Sequence, residues 1–223
     1  MSLLGDSKFT GDTAAILDAR SSFLERGHYA PIANAVAQSI PDAAASILDS
    51  GCGTGYYLAA ALRAHPQLAP LSLDVSPIAV ARTVAAIGTP GLVADIWRPL
   101  PIRDNAADVI LCIFAPRNPA EFARAQARSG TLIVVTPAPD HLVQLRETGA
   151  VIGLQPDKLE HLDASLDALY ALQGRSSLRY TLRLDADDAA LLAGMGPSGH
   201  HQASVPTAGD VTVSVDVSVY TRR

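Results

Sequence analysis

The chain has 223 residues, of which 48% are hydrophobic and 17% are charged, and its formal net charge is −5. This composition excludes an intrinsically disordered chain, and no uninterrupted apolar stretch reaches the roughly 18 residues that a membrane-spanning helix needs. The negative charge and the scattered arginines give no support for nucleic-acid binding by charge alone.

The predicted elements alternate between helices and strands through the first two thirds of the chain. Two helices come first: one over 12–26, capped by Asp12 or Thr13, and one from Pro31 to Pro41. Two later helices have start signals at Ser76-Pro77 and at Asn118-Pro119. Five strands follow, at 46–50, 71–74, 91–94, 108–114 and 131–136, separated by helices at 56–66, 76–88 and 118–128. This alternation, with short connections, predicts a doubly wound α/β sheet.

The last third of the chain changes pattern. A leucine stripe predicts a core-packed helix that ends at Gly174; its members are Leu159, Leu162, Leu166 and Leu169. A sixth strand is predicted at 178–184, a short helix at 187–193 and a loop at 194–209. Valines at every second position over 211–219 predict a seventh strand with one wet or lightly covered face.

The first predicted strand ends in a glycine-rich turn. Residues 49–55 read Asp-Ser-Gly-Cys-Gly-Thr-Gly, and Asp74 ends the second strand. Glycines let the backbone approach a ligand where a Cβ would collide, and the Asp74 carboxylate can accept hydrogen bonds from both hydroxyls of a ribose. This layout is typical of a nucleotide-type cofactor site at the carboxyl end of a parallel sheet.

An acid before the glycines separates two kinds of cofactor. A dinucleotide site usually shows Gly-x-Gly-x-x-Gly, with a pyrophosphate on the helix N-terminus. Here Asp49 precedes the glycines, where it would repel a pyrophosphate but can serve a cation. S-adenosylmethionine (SAM) carries a sulfonium and an ammonium group and no phosphate, so the motif favours SAM over NAD. A tight strand-to-helix turn without a ligand is the alternative interpretation.

Further cofactor contacts are expected at the carboxyl ends of the other strands. The predicted cofactor-binding residues are Asp49, Ser50, Gly51, Gly53, Gly55, Tyr56, Tyr57, Asp74, Val75, Asp95, Ile96 and Phe114. Asp95 is assigned to the adenine amino group, with capping of the next turn as its alternative. Cys52 and Cys112 are interpreted as reduced core residues of a cytoplasmic protein without a secretory signal, and no metal site is predicted.

Several segments together resemble the bacterial 23S rRNA guanine-N1 methyltransferases. The two most specific are Gly27-His28-Tyr29-x-Pro31 and Thr136-Pro137-x-Pro139-x-His141-Leu142. The other matching segments are Gly11-Asp12, Ala19-Arg20 with Phe23-Leu24, residues 48–57, residues 73–76 and Phe114-Ala115-Pro116. The resemblance runs from about residue 11 to residue 197.

This resemblance implies a class I SAM-dependent methyltransferase, with a Rossmann-like doubly wound sheet of seven strands whose last strand is antiparallel. Residues 42–223 would form that domain, and residues 1–41 a helical segment covering the cofactor site. The implied reaction methylates N1 of a guanine in a 23S rRNA hairpin, a change that contributes to macrolide resistance in Gram-positive relatives. The family also carries an N-terminal zinc-binding domain that helps bind RNA; it is expected to be absent here, and the rRNA partner to require it.

Candidate catalytic residues follow from the chemistry of guanine. Its N1 bears a proton, so a base or a polarised O6 would help methyl transfer. Asp140 and His141 follow the fifth predicted strand and are the candidate catalytic residues, with helix N-terminal packing as the alternative for His141. The residues expected to line the substrate pocket are His28, Tyr29, Ala115 and Pro116, and Tyr29 has a core position as its alternative.

Two other functions stay open at this point. The acidic charge and the missing zinc-binding domain fit a SAM-dependent methyltransferase of a small molecule on the same scaffold. A non-catalytic SAM-binding module is the third hypothesis. No membrane partner is expected, and homodimerisation stays open.

Overall fold

The computed structural model describes residues 11–149, 158–196 and 208–223. Most of the predicted loop at 194–209 lies outside the described residues, as does the side chain of Leu159. The described helices are α1 (Ala14–Glu25), α2 (Ala30–Gln38), α3 (Tyr56–Ala64), α4 (Pro77–Ile87), α5 (Pro119–Ala125), α6 (Val143–Glu147), α7 (Lys158–Leu166) and α8 (Ala186–Gly194). The strands are β1 (Ser46–Ser50), β2 (Ala69–Asp74), β3 (Gly91–Val93), β4 (Ala107–Ile113), β5 (Gln126–Pro137), β6 (Tyr170–Leu184) and β7 (Gly209–Arg222).

The strands form one seven-stranded sheet in the order β3-β2-β1-β4-β5-β7-β6. The first five strands pair in parallel, whereas β7 lies between β5 and β6 and is antiparallel to both. The strand order reverses direction at β1 and β4, which is where ligands bind in open α/β sheets. The expected class I architecture, with its last strand antiparallel, is confirmed.

Both faces of the central strands are buried. In β4, Val109 and Leu111 join a core formed with α1, α2 and α3, while Ile110 and Cys112 join a second core formed with α5 and α7. Successive side chains of a strand point to opposite faces, so a continuous apolar run is what a doubly covered strand requires. Because helices cover both faces of these strands, a ligand can reach the sheet only at its edges, and in open α/β sheets ligands bind at the carboxyl edge.

The helix starts agree with the predicted capping residues. Thr13 caps α1 by accepting a hydrogen bond from the Ile16 backbone N–H, and Ser76 caps α4 in the same way. Asn118 accepts from the Glu121 N–H at the start of α5. A side-chain oxygen at these positions satisfies one of the unpaired N–H groups of the first turn, and this local chemistry is readable from the sequence.

The predicted helix ending at Gly174 is wrong in its second half. Helix α7 ends at Leu166, and β6 begins at Tyr170. The residues from Tyr170 onward pair with β7, and the Tyr170 hydroxyl donates a hydrogen bond to Gln126 Oε1 at 2.9 Å. Long-range pairing therefore outweighs the helical spacing of Leu169, which is exposed, although Leu162 and Leu166 are buried as predicted.

The helix predicted over 118–128 is also too long. Helix α5 ends at Ala125, and β5 begins at Gln126 rather than at the predicted Thr131. Gln126 pairs with Ala107 ahead of an irregularity in the β4–β5 register. The Gln126 side chain is buried and accepts a hydrogen bond from the Tyr170 hydroxyl. Tertiary contacts therefore decide where α5 ends.

The expected lightly covered face of the last strand is wrong as well. The polar residues that alternate with the valines are all buried; they are Thr212, Ser214, Asp216 and Ser218. Strand β7 is an inner strand, and neighbouring side chains satisfy these groups: Ser177 donates to Asp216 at 2.5 Å, and Arg175 Nε donates to Ser218 Oγ at 2.8 Å. Polar alternation here marks a buried hydrogen-bonded face rather than a wet one.

The two N-terminal helices share the core of the sheet. Phe23 and Leu24 of α1, and Ile32 and Val36 of α2, are buried in the same cluster as the central strands. The division into segments 1–41 and 42–223 stays a prediction. Within the described ranges, no helix is both long and apolar enough to cross a membrane.

Candidate active site

A cavity of about 680 Å³ opens at the carboxyl edge of the sheet. Its volume lies in the range usual for small-molecule sites. Its walls come from the segment before α1, the glycine turn, the residues that follow β2, β3 and β4, and the ends of α6 and α8. Segments far apart in sequence thus meet around one space.

Most of the predicted site residues line this cavity. They are Tyr29, Ser50, Gly51, Gly53, Tyr56, Tyr57, Asp74, Val75, Asp95, Ile96, Phe114, Ala115, Pro116 and His141. The predicted residues that are not part of the lining are His28, Asp49, Gly55 and Asp140.

The glycine turn is constrained by the protein itself as well as by any ligand. Gly51 has φ +84°, and a Cβ at this position would lie 2.4 Å from the Cβ of Ala115. Gly55 has φ +76°, precedes α3, and would place a Cβ 2.9 Å from Thr83. Positive φ and such close approaches require glycine. The turn is therefore fixed against the segment after β4 and against α4 before a ligand binds.

Asp74 connects the glycine turn to the start of α4. Its Oδ2 accepts a hydrogen bond from the Gly53 N–H at 3.0 Å, and its Oδ1 accepts one from the Ser76 N–H at 2.9 Å. Burial raises the pKa of the Asp74 carboxyl, and the two N–H donors partly oppose that shift. A carboxylate has about four acceptor positions, so Asp74 keeps capacity for sugar hydroxyls while it shapes the turn.

Asp49 lies at the end of β1 and is only 3% exposed. Burial, with the charge of Asp74 as a second cause, raises the pKa of its carboxyl to about 7. A buried acid with this pKa is costly to ionise and would be stabilised by a cation placed above the turn. Asp49 is thus suited to act on a ligand through its charge, from outside the cavity lining.

Four aromatic rings lie together in the cavity lining. Around Phe114, the ring centroids of Tyr29 and Tyr57 lie at 6.4 Å and that of His141 at 6.3 Å, with the His141 ring nearly parallel. Phe114 is 41% exposed and has φ +54°, a strained conformation for a bulky residue. Strain of this kind is concentrated at functional sites. We call these four residues the aromatic compartment.

The hydrogen bonds of His141 fix its tautomer. Its Nδ1 accepts the Ser214 backbone N–H at 3.2 Å, and its Nε2 lies 3.5 Å from the Tyr29 hydroxyl. An N–H can only donate, so Nδ1 carries the lone pair and the neutral ring carries its proton on Nε2. His141 therefore presents an N–H donor at Nε2.

Two predicted residues are engaged away from the cavity. Asp140 accepts a hydrogen bond from Arg179 Nε at 2.8 Å, and hydrogen bonds from Ser214 and Arg179 lower the pKa of its carboxyl. The Nε2 of His28 lies 2.9 Å from Asp188, and its ring packs on Phe23. The catalytic role of Asp140 and the pocket role of His28 stay predictions that this geometry does not favour.

Sequence reasoning missed several lining residues, among them Asp12, Arg20, Trp97, Arg146 and Met195. Trp97 is 51% exposed although it is a large aromatic residue. Asp12 and Arg20 belong to segments quoted for the resemblance, so that resemblance was the available signal for them. Nothing local marks Met195, which reaches the cavity from the end of α8.

Comparisons with known proteins place this geometry in a family. Residues 48–134 match a methyltransferase domain. The chain is 37% identical over 228 residues to the 23S rRNA (guanine(748)-N(1))-methyltransferase of Streptomyces fradiae, covering 96% of this chain and 81% of that protein. It is also 37% identical over 217 residues to a putative 23S rRNA (guanine-N(1)-)-methyltransferase of Micromonospora griseorubida, covering 89% and 74%.

The chain belongs to the 23S rRNA guanine-N1-methyltransferase family. Solved structures agree on the fold. The putative methyltransferase bound to the Haloferax volcanii Trm112 activator aligns with TM-score 0.63 and 19% identity over 93% of this chain and 96% of that one. The YcgJ protein from Bacillus subtilis aligns with TM-score 0.60 and 16% identity over 88% and 99%.

The cavity of this guanine-N1-methyltransferase family member fits its cofactor, SAM. The acids Asp49 and Asp74 suit a cation and a sugar. Burial raises the pKa of the Cys52 thiol well above its usual range, so this lining residue stays a neutral thiol. SAM, when bound, supplies an electrophilic methyl group on a sulfonium.

Proposed function

We propose that this protein transfers a methyl group from SAM to N1 of a guanine in 23S rRNA. The observation that carries the proposal is the aromatic compartment, which opens directly into the cofactor cavity in a member of this family. A purine removed from its stack is commonly held between aromatic faces. We infer that the compartment receives the target guanine.

His141 is suited to polarise the guanine carbonyl rather than to remove a proton. Its Nδ1 lone pair is directed at the Ser214 N–H, so the side that faces Tyr29 and the cavity offers an N–H. Donation from Nε2 to O6 would withdraw electron density from the ring and make the N1 proton more acidic. The base role that the sequence left open for His141 would require the opposite tautomer.

The other polar groups near the compartment are poor bases. Burial raises the pKa of the Tyr29 hydroxyl far above its ordinary value, so Tyr29 stays protonated and can only orient its neighbours. The lowered pKa of Asp140 makes it a weak proton acceptor. We propose that the N1 proton leaves to water while the nitrogen forms its bond to the methyl carbon and the carbon–sulfur bond breaks.

Methylation of a defined RNA tests this proposal. A 23S rRNA hairpin transcript is incubated with the protein and radiolabelled SAM, and the product is mapped by mass spectrometry and by reverse-transcription arrest, since a methyl on N1 blocks Watson–Crick pairing. We expect label on one guanine, and none when adenine, which lacks O6 and the N1 proton, replaces it. Label on a different base atom, or on small molecules alone, would contradict the proposal.

The cellular setting follows from the proposed substrate. We infer that the protein acts in the cytoplasm, where rRNA is made, and that the modification lowers susceptibility to some macrolides. We also infer that a zinc-binding segment upstream of residue 1 contributes RNA affinity, so residues 1–223 alone should methylate a naked hairpin slowly. Rapid turnover by these residues alone would show that such a segment is dispensable.

A further inference from the structure

Arg20 of α1 directs its guanidinium into the cofactor cavity. Nη1 contacts Asp12 Oδ2 at 2.5 Å, and Nη2 donates to the Met195 carbonyl at 2.8 Å. The side chain is 24% exposed. These contacts join the segment before α1 to the end of α8, and they hold the guanidinium in one position.

That position is beside the glycine turn. A Cβ placed on Gly53 would lie 3.2 Å from Arg20 Nη1, and the N–H of the same glycine donates to Asp74. The charge of Arg20 also acts on Asp74, where it lowers the carboxyl pKa against the larger effect of burial. Gly53 therefore lies between Asp74, the carboxylate expected to bind the sugar, and the positively charged guanidinium of Arg20.

The described lining of the cavity contains more acidic than basic side chains. The acidic lining residues are Asp12, Asp74 and Asp95, whereas the guanidinium groups among the described lining residues are those of Arg20 and Arg146. Arg146 lies on α6, close in sequence to His141, and donates to the Pro139 carbonyl. Arg20 is thus the cation on the cofactor side.

We propose that Arg20 binds the α-carboxylate of the methionine end of SAM, an inference that rests on the proposed function. A guanidinium has five N–H donors, and the contacts made within the described residues use two of them. The planar guanidinium matches a carboxylate with two parallel hydrogen bonds. Asp12 and the Met195 carbonyl hold it in place before the cofactor arrives, which reduces the entropy lost on binding.

Two ligands distinguish this role from a structural one. S-adenosylhomocysteine keeps the carboxylate, whereas 5′-methylthioadenosine keeps the adenosine and the thioether but lacks the amino-acid end. Calorimetric titration of Arg20→Ala should show S-adenosylhomocysteine affinity reduced about tenfold to hundredfold, as for a charged hydrogen-bonded pair, and 5′-methylthioadenosine affinity unchanged. The matched control is Arg82→Ala in α4. It removes the 2.7 Å ion pair with Asp18, which lies on α1 like Arg20, and should change neither affinity.

The outcomes separate the two levels of inference. Equal losses of affinity for both ligands would show that Arg20 only stabilises the fold through Asp12 and Met195. An unchanged S-adenosylhomocysteine affinity would exclude a contact between Arg20 and the carboxylate. Either result overturns the assignment. Arg20→Gln, which can still donate to Met195 without a charge, repeats the comparison if the alanine variant does not fold. Failure of the unaltered protein to bind either ligand would instead refute the SAM site itself.

Discussion

Replacing Asp49 with asparagine should make the protein more stable and a poorer binder of SAM. The carboxyl is 3% exposed, and burial together with the charge of Asp74 raises its pKa from 3.8 to about 7. Between these two pH values the folded state binds more protons than the unfolded state, so stability falls as the pH rises through this window. Asparagine removes the ionisable group and therefore the pH-dependent penalty.

The size of the effect follows from the shift. One pKa unit corresponds to about 1.4 kcal/mol, so the penalty is about 4 kcal/mol at pH 8, where Asp49 is ionised in both states. It is about 2 kcal/mol at pH 5, where only the unfolded state has lost the proton. Urea unfolding at the two pH values should thus show a gain for Asp49→Asn that is roughly 3 kcal/mol larger at pH 8, since two pKa units separate pH 5 from the folded pKa.

The control is Asp42→Asn, which removes the same charge from an exposed position and should leave stability nearly unchanged at both pH values. Calorimetry of SAM binding completes the test. We expect the affinity of the unaltered protein to rise with pH through about 7, because a bound cation favours ionised Asp49, and this dependence should vanish in Asp49→Asn. Equal stability gains at both pH values would refute the burial argument, and an unaltered SAM affinity would refute the charge argument.

Three further changes test other parts of the site. Asp74→Ala should weaken SAM binding by about 1.5–3 kcal/mol, the value of a hydrogen bond to a charged group, and calorimetry that shows no loss would remove Asp74 from the sugar site. Gly51→Ala places a Cβ 2.4 Å from that of Ala115, so its melting temperature should fall, with partial recovery on adding Ala115→Gly; no recovery would mean that the positive φ alone causes the loss. His141→Gln keeps a side-chain N–H donor and should retain part of the methyl-transfer rate with an unchanged pH profile, whereas His141→Ala should lose about tenfold to a thousandfold; equal rates for both variants would exclude the donor role.

The parts of the fold that depend on local chemistry were predictable from the sequence. The first strand at 46–50 and the start of α4 at Ser76-Pro77 appear where they were expected. Glycine, proline and capping side chains act within a few residues, so their effects can be read without the tertiary structure. The glycine turn and Asp74 belong to this class, which is why most residues predicted around the turn line the cavity.

The parts decided by distant contacts were not predictable. Tyr170 starts a strand because β7 offers a partner, although Leu169 continues a helical spacing. The buried Thr212 hydroxyl accepts a hydrogen bond from Gln144 Nε2, and the backbone N–H groups of Thr212 and Ser214 donate to Gln144 Oε1 and His141 Nδ1 of a distant segment. Arg20 looks like a solvated charge on an amphipathic helix, and only the folded chain brings it to Gly53.

The walls of the cavity have a consequence for biosynthesis. Residues 48–134, which match the shared domain, contain the glycine turn but neither Arg20 nor Leu192 and Met195, which close the cavity from the two ends of the chain. A nascent polypeptide that has not yet emerged to the end of α8 therefore lacks part of the cavity wall. We therefore expect SAM binding to require the chain through α8, and a truncation after α7 should abolish methyl transfer although residues 48–134 remain.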